Sequence, residues 1–169
     1  MGAILATWGA DARYTRLVQQ HGPGLLRLAV LLTGNRHDAE DIVQEAIISA
    51  SASWSISRPV AGVAYLRRAV ANKAIDLTRK HKELTTGSIV ETLVEDAGFF
   101  RHESDQRFFR LVNTLPERQK ATLVLKYYAD MDDRSIAQAL GVTVATVRSQ
   151  AQHGLSKLRA MDLTVEGRI

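Results

Sequence analysis

No cysteine occurs among the 169 residues of this chain. Its absence excludes disulfides, thiol catalysis and every zinc or iron–sulfur site that needs a cysteine ligand. Aromatic residues are also scarce, at 6%, so Leu, Val, Ile and Ala must build the core, as they do in helical bundles. The longest apolar run, Leu28 to Leu32, is far too short to cross a bilayer, and the N-terminus lacks the long apolar stretch of a signal peptide. We therefore expect a cytoplasmic protein without membrane contact.

The sequence also has no recognisable group of catalytic residues. The five histidines are scattered, without a His-x-x-x-His pair, and the sequence has neither a Gly-rich phosphate loop nor a Gly-x-Ser-x-Gly motif. We therefore expect no enzymatic activity, no metal site and no cofactor. The formal net charge of +4 and the pI of about 9.6 favour a polyanionic partner, which is a weak signal by itself.

Residues 133–159, DRSIAQALGVTVATVRSQAQHGLSKLR, have the pattern of a helix-turn-helix. Gly141 can adopt the left-handed conformation that ends the first helix, and Thr143 can cap the second helix through its hydroxyl oxygen. Apolar residues recur every three or four positions, which predicts a buried stripe on each helix. The predicted buried positions are Ile136, Ala137, Leu140, Val144, Val147, Ala151, Leu155 and Leu158.

The opposite face of the second helix is small, polar and cationic, which suits the major groove of DNA. Arg148 can pair bidentately with a guanine edge or hold a phosphate, and residues near the helix start suit phosphate contacts. A helical hairpin that binds protein is the alternative interpretation of this pattern. The candidate DNA contacts are Thr143, Ala145, Thr146, Arg148, Ser149, Gln152 and His153.

Helical periodicity also runs through the N-terminal half, where no strand pattern stands out. A first helix is expected to be interrupted by Gly-Pro-Gly at 22–24 and to end before residues 33–35. A second helix is expected at about 38–51 and a third at about 61–80, with a loop between them because Pro59 disfavours helix at the residue before it.

Charge alternates strongly along the chain. Residues 66–82 hold six basic residues and one acid, whereas residues 83–105 hold six acids and one arginine. The acidic stretch includes a Thr-Thr-Gly-Ser run and has weak periodicity, which predicts a linker. The sequence thus predicts an all-α fold of two small helical domains, residues 12–80 and 105–163, joined by an acidic linker at 81–104.

Three motifs then appear in order: DAEDIVQE at 38–45, AYLRRAVAN at 64–72, and the helix-turn-helix behind a helix that starts at LPER, 115–118. Their order and spacing resemble the extracytoplasmic-function (ECF, group 4) sigma factors of bacterial RNA polymerase. Within these, the chain is similar to the short actinobacterial SigE-type group. The resemblance covers roughly residues 12–160.

The resemblance implies a sigma factor that binds core RNA polymerase and directs promoter-specific transcription initiation. Its first domain, sigma region 2, would bind the clamp of the largest polymerase subunit and open the −10 element. Its second domain, sigma region 4, would read the −35 element beside the flap of the second subunit. The implied clamp contacts, which physical reasoning alone would take for a solvated helix face, are Asp38, Glu40, Asp41, Gln44 and Glu45.

The −10 element has its own implied contacts. Asn72 matches an asparagine that the family places near a flipped base, and its amide offers both a donor and an acceptor. The alternative interpretation is a buried amide bonded to backbone, and for the neighbouring cations a solvated helix face. The other implied −10 contacts are Ser57, Arg58, Arg67, Arg68 and Lys73.

Two other classes of protein share parts of this pattern. A stand-alone helix-turn-helix transcription regulator, such as a LuxR-like protein, normally dimerises on palindromic DNA and carries a sensory domain with strands, which the helical N-terminal half opposes. A protein-binding adaptor is opposed by the intact polar face around Arg148. An anti-sigma factor is a further partner that the family implies, and no residue of this chain identifies one.

Replacing Arg148 with alanine is expected to weaken use of the −35 element about tenfold or more, because a guanine-reading arginine contributes roughly 1–3 kcal/mol of discrimination. Run-off transcription with reconstituted polymerase, on matched and scrambled −35 sequences, measures the effect. Equal loss on both sequences would leave Arg148 with a phosphate contact and no base-reading role.

Overall fold

The computed structural model describes residues 12–54, 62–84 and 103–162, and all the regular structure in these segments is helical. The predicted all-α fold is confirmed. A bundle of three long helices comes first, and a second group of helices contains the helix-turn-helix. The elements are α1 (Ala12–Thr33), α2 (Arg36–Trp54), α3 (Gly62–Leu84), α4 (Glu103–Asn113), α5 (Glu117–Leu123), a π-helical segment (Val124–Tyr128), α6 (Asp133–Leu140) and α7 (Val144–Asp162).

The first bundle consists of α1, α2 and α3, each of which packs against the other two. Its core is mostly aliphatic, as the shortage of aromatic residues requires, with Leu25, Leu28 and Leu66 almost completely buried. The aromatic ring of Tyr14 is also buried there, and its hydroxyl donates a hydrogen bond to the carbonyl oxygen of Ile47. Burial raises the pKa of Tyr14 to about 12, so this hydroxyl keeps its proton and its role as a donor.

Helix α1 continues through Gly22, Pro23 and Gly24, so the predicted interruption of this helix is wrong. Proline removes one backbone donor and clashes with the preceding turn, and glycine loses more conformational freedom than other residues. Here Pro23 itself is exposed, while Gly22 and Leu25 beside it are buried in the bundle. Tertiary packing on both sides of the proline therefore outweighs the local preference.

The predicted break between α1 and α2 is confirmed at residues 34–35. Gly34 has φ 70° and donates its N–H to the carbonyl oxygen of Val30 at 2.8 Å. The Asn35 side-chain oxygen then accepts the N–H of Asp38 at 3.1 Å, which caps the start of α2. The second helix consequently begins at Arg36, two residues before the expected start.

Helix α4 was not predicted, although Phe109 and Val112 are buried at helical spacing. It begins at Glu103, and α3 extends to Leu84. Residues 81–84 and 103–104, at the two ends of the expected linker 81–104, are therefore helical. Its remaining residues lie outside the described part of the chain.

The second domain is organised around α7, which packs against α5, α6 and α4. Gly154 of α7 allows a close approach to α5: a Cβ atom at this position would lie 2.9 Å from the Leu123 Cδ1 atom and 3.2 Å from its Cγ atom. Leu123 is fully buried and has little room to move. The spacing between these two helices is thus set by a glycine facing a leucine.

The two domains also contact each other. Helix α1 meets the π-helical segment, and α3 meets α6. The Arg27 Nε atom donates to the Tyr128 hydroxyl oxygen at 2.9 Å, and the Tyr128 ring stacks on Phe108 at a centroid distance of 6.3 Å. A second polar link joins Arg68 Nη2 to Asp132 Oδ2 at 3.4 Å.

Two glycine substitutions test the close approach of α5 and α7. Gly24 lies inside α1, and a Cβ atom there would meet nothing within 4 Å. Gly24→Ala is expected to raise the free energy of unfolding by ~0.5–1 kcal/mol, because alanine costs less conformational entropy in a helix. Gly154→Ala gains the same term but loses about 1–3 kcal/mol through overpacking, so its net effect is destabilising. Chemical denaturation, monitored through the loss of helical structure, measures the free energy of unfolding of both variants. An equal gain in stability for both would contradict the close approach of α5 and α7.

A pH-dependent stability is expected from Lys120 of α5. Burial lowers the pKa of its ammonium group from 10.5 to about 8, an effect that nearby Glu117 partly opposes. The folded state therefore disfavours the protonated form, most strongly below pH 8, and this cost disappears as pH rises from about 8 to 10.5. Lys120→Met should raise the Tm at pH 7, and the gain should shrink towards pH 10.

Exposed Lys157 of α7 supplies the matched control. Lys157→Met should change the Tm little at either pH, because this side chain loses little solvation on folding. A Tm gain for Lys120→Met that stays constant between pH 7 and pH 10 would contradict the role of the ammonium group.

Candidate nucleic-acid interface

The turn between α6 and α7 has the predicted geometry. Gly141 ends α6 with φ 65° and ψ 38°, in the left-handed region. The Thr143 hydroxyl oxygen accepts the N–H of Thr146 at 3.1 Å, so Thr143 caps the next helix as expected. At the other end of α6, Asp132 accepts the Ser135 N–H at 2.9 Å and the Ser135 hydroxyl at 2.8 Å. These bonds, the backbone one foremost, hold the pKa of Asp132 below its usual value.

The outer face of α7 collects the residues predicted to contact DNA. Six of the seven are exposed and Thr146 is half-buried, while the residues of the opposite stripe, such as Val147, Ala151 and Leu158, are buried. The hydroxyl groups of Thr143 and Thr146 form a hydrogen bond near the helix start, with 2.9 Å between their oxygens. The exposed members are Thr143, Ala145, Arg148, Ser149, Gln152 and His153.

A cluster of three charged side chains, Lys126, Asp133 and Arg148, adjoins this face. Asp133, the first residue of α6, receives the Lys126 Nζ atom on Oδ1 at 2.6 Å and the Arg148 Nε atom on Oδ2 at 3.1 Å. These two hydrogen bonds, with Lys126 contributing most, hold the pKa of Asp133 below its usual value. Neither Lys126 nor Asp133 was predicted from the sequence, because separations of 7 and 15 residues across two turns have no periodic signal.

The basic helix α3 faces a cavity of about 390 Å³ between the two domains. Arg68 and Asn72 line it from α3, together with Asp76 and Arg79, and α6 supplies the opposite wall. Lys73 instead pairs with Glu45 of α2 at 3.0 Å, and Arg67 is half-buried. Ser57 and Arg58, the other predicted −10 contacts, lie outside the described residues.

Asn72 is exposed, so the alternative interpretation of a buried, backbone-bonded amide is wrong. Within the described segments its side chain makes no hydrogen bond. An unpaired amide that lines a cavity keeps both its donor and its acceptor available for a ligand. The other polar wall residues, Ser135 and Gln138, come from α6.

The acidic residues of α2 form a second surface. Glu40, Asp41, Gln44 and Glu45 are exposed, and Asp38 is half-buried at the helix start. Two of them have close local neighbours: Arg36 Nε lies 2.9 Å from Glu40 Oε1, and His37 Nε2 lies 3.8 Å from Asp41 Oδ2. Exposed pairs of this kind contribute little stability, so a partner's cations can replace them at low cost.

Two negative findings hold for residues 12–54, 62–84 and 103–162. No group of three or more His, Asp or Glu side chains is arranged to hold a metal ion. No helix in these segments is long and apolar enough to cross a membrane.

Comparison with known families and curated proteins gives matches over most of the chain. Residues 17–83 match the family model for sigma-70 region 2, and residues 105–158 match that for sigma-70 region 4. The ECF RNA polymerase sigma factor SigM of Mycobacterium tuberculosis is 30% identical over 161 residues, which cover 92% of this chain and 81% of that protein.

Two further relatives carry the SigE or sigma-E name. The ECF RNA polymerase sigma factor SigE of Mycolicibacterium smegmatis is 30% identical over 154 residues, 86% of this chain and 60% of that protein. The RNA polymerase sigma-E factor of Streptomyces coelicolor is 28% identical, with 89% and 86% of the two chains covered.

The fold has a solved counterpart. The sigma factor RpoE of Bartonella quintana, whose structure was determined in complex with the anti-sigma factor NepR, superposes with a TM-score of 0.66 at 20% identity, over 91% of this chain and 98% of that one. At this level of identity the superposition establishes the shared fold. The two sigma-70 regions and the 30% identity to SigM identify this chain as a member of the ECF sigma factors of bacterial RNA polymerase.

Proposed function

We propose a division of labour between the two domains of this sigma factor, which binds core RNA polymerase and directs promoter-specific transcription initiation. Residues 12–80 would bind the polymerase clamp and open the −10 element, residues 105–163 would read the −35 element, and residues 81–104 would connect them. The observation that carries the proposal is the exposed polar face of α7, which is supported from behind by a buried apolar stripe.

Reading of the −35 element rests on the residues that α7 leaves exposed. Arg148, Ser149 and Gln152 have side chains long or polar enough for base edges, whereas Thr143 and Thr146 at the helix start suit phosphates. Ala145 offers a small apolar contact for a thymine methyl group, and His153 a phosphate contact when protonated. The other side of α7 is anchored by Val147, Ala151 and Leu158.

Opening of the −10 element rests on Asn72. A base that leaves the stack needs hydrogen bonds to its edge, and an exposed amide with both groups unpaired within the described segments provides them. Arg67, Arg68 and Lys73 lie on the same helix, and Ser57 and Arg58 precede it, as candidate contacts to the strand. Helix α6 forms the opposite wall of the Asn72 cavity, so a promoter strand that enters this cavity passes between α3 and α6.

Binding to the polymerase clamp rests on the acidic surface of α2. Its carboxylates Glu40 and Asp41 are engaged only in local, exposed pairs, so the cost of exchanging these partners is small. Glu45 is different, because its partner Lys73 lies on the helix proposed to contact DNA. The remaining proposed clamp contacts are Asp38 and Gln44.

Finer assignments follow from the relatives. The SigE and sigma-E proteins of mycobacteria and streptomycetes support membership in the SigE-type actinobacterial group. The chain would work in the cytoplasm, where the polymerase, and not this chain, catalyses RNA synthesis. The Bartonella relative was solved with an anti-sigma factor, which supports a protein inhibitor as a further partner.

Run-off transcription tests the proposal. Purified core polymerase, with and without this protein, is supplied with genomic fragments that include promoters, and new transcripts are expected only with the protein. Asn72→Ala should lower open-complex formation on these promoters, measured by permanganate reactivity of unpaired thymines. Gln19→Ala, an exposed amide on α1 away from the proposed contacts, is the matched control and should behave as the natural chain.

Two outcomes separate the candidate functions. If the chain fails to bind core polymerase and yields no transcript, while it binds a promoter tightly alone, a stand-alone helix-turn-helix regulator replaces the proposal. If transcripts appear and Asn72→Ala opens promoters as well as the Gln19→Ala control, Asn72 has no part in −10 recognition.

A further inference from the structure

We propose that Asp133 is a positioning residue for the −35 contact: it fixes the Arg148 guanidinium so that its terminal amino groups are presented to one base pair. This inference rests on the proposed DNA-reading role of Arg148. It is carried by the geometry of the cluster, in which one carboxylate bridges Lys126 of the π-helical segment and Arg148 of α7.

The Asp133 carboxylate is itself held in place. Its side chain is only 21% exposed and that of Lys126 29% exposed, and the distance between Oδ1 and Nζ is 2.6 Å. Asp133 also occupies the first position of α6, directly after Asp132, which caps this helix. With its backbone in a capped helix and Oδ1 bound to a half-buried lysine, Oδ2 remains as a fixed acceptor.

A fixed acceptor restricts the conformational freedom of the Arg148 side chain. Its side chain is 71% exposed and would otherwise sample many rotamers, which a DNA contact would have to restrict. The bond from Nε to Asp133 restricts them before DNA binds. Preorganisation of this kind lowers the entropic cost of recognition.

The atom that Asp133 engages matters for what Arg148 can read. A guanidinium has five N–H donors in a rigid fork, and bidentate recognition of guanine needs two of them in parallel. Asp133 takes the Nε donor, and within the described residues the terminal amino groups have no partner. They therefore stay available for a base edge.

Charge adds a second effect. A carboxylate 3.1 Å from Arg148 partly cancels the attraction of this side chain for any phosphate, and it would itself be repelled by the DNA backbone. Arg148 consequently contributes less to sequence-independent binding. The Asp133–Arg148 pair therefore lowers the affinity for DNA of any sequence and favours discrimination between base pairs.

A purely structural role for Asp133 makes a different prediction. If Asp133 only anchored Lys126 and α6, then removing either partner of that pair would have the same effect on promoter use. Positioning of Arg148 predicts that Lys126→Ala, which removes the support at Oδ1 but leaves the Asp133–Arg148 pair in place, loses less base discrimination than Asp133→Ala.

The test uses polymerase reconstituted with the full chain and a set of promoters that carry every single base-pair change in the −35 element. Competitive transcription gives the discrimination at each position for the natural chain, Asp133→Ala, Lys126→Ala, Arg148→Ala and the double variant Asp133→Ala/Arg148→Ala. We expect Asp133→Ala to lose several-fold discrimination at the base pair that Arg148→Ala affects, and at no other. The double variant should lose no more than Arg148→Ala alone.

The possible failures are distinguishable. If Arg148→Ala loses discrimination and Asp133→Ala keeps it, the positioning role is wrong and the proposed function stands. If Arg148→Ala loses discrimination at no base pair, Arg148 reads no base and the inference falls with that part of the proposed function. Equal losses for Asp133→Ala and Lys126→Ala would point to a structural role and overturn the inference.

Folding of each variant is checked by thermal unfolding. If Asp133→Ala unfolds below the assay temperature, Asp133→Asn takes its place, because it keeps the shape of the side chain but loses the charge and one of the two acceptor oxygens. Discrimination at the Arg148 base pair must then still fall. Unchanged discrimination in a folded Asp133→Asn variant would overturn the positioning role.

Discussion

The close packing of α7 against α5 is the constraint on which the recognition surface depends. A glycine at position 154 lets the two helices approach until the Leu123 side chain fills the space where a Cβ atom would stand. The buried stripe of Val147, Ala151 and Leu158 fixes the rotation of α7 about its axis. Once that rotation is fixed, the remaining polar side chains can only lie on the outer face. The DNA-reading surface is thus a consequence of how the apolar side is buried.

Two adjacent carboxylates at the start of α6 contact different parts of the molecule. Asp132 caps α6 and pairs with Arg68 of the first domain, while Asp133 pairs with Arg148 of the recognition helix. Asp132 therefore belongs to the contact between the domains, and Asp133 belongs to the proposed DNA contact. The contact between the domains and the support of Arg148 are therefore anchored on the same turn of α6.

Much of the second domain could be predicted from the sequence because its signals are local. The left-handed Gly141 and the Thr143 cap each depend on a few neighbouring residues, and the exposed face of α7 follows from a helical period. The cluster of Lys126, Asp133 and Arg148 could not be predicted, since nothing in a sequence shows which charges meet across two turns. The contact between the domains has no sequence signal for the same reason.

Local rules failed where tertiary packing opposed them. Pro23 should have interrupted α1, yet the buried residues on either side keep the helix continuous. Helix α4 was missed because its acidic start resembles the linker that precedes it, and the buried residues Phe109 and Val112 form a short signal. Patterns over a few residues are thus reliable for caps and turns, and less so where a core decides the outcome.

The π-helical segment has a consequence for how this region tolerates insertion and deletion. Its wide turn, closed by a 3.0 Å bond from the Ala129 N–H to the carbonyl oxygen of Val124, accommodates an extra residue relative to an α-helical turn. Because the extra residue is taken up within this one turn, its loss would return the turn to α-helical geometry and leave the residues on either side in nearly the same helical register. Tyr128, which meets Arg27, and Lys126, which meets Asp133, lie inside the turn, so their side chains would be the ones displaced. A deletion here would thus act on the contacts that this turn makes, and less on the helices that flank it.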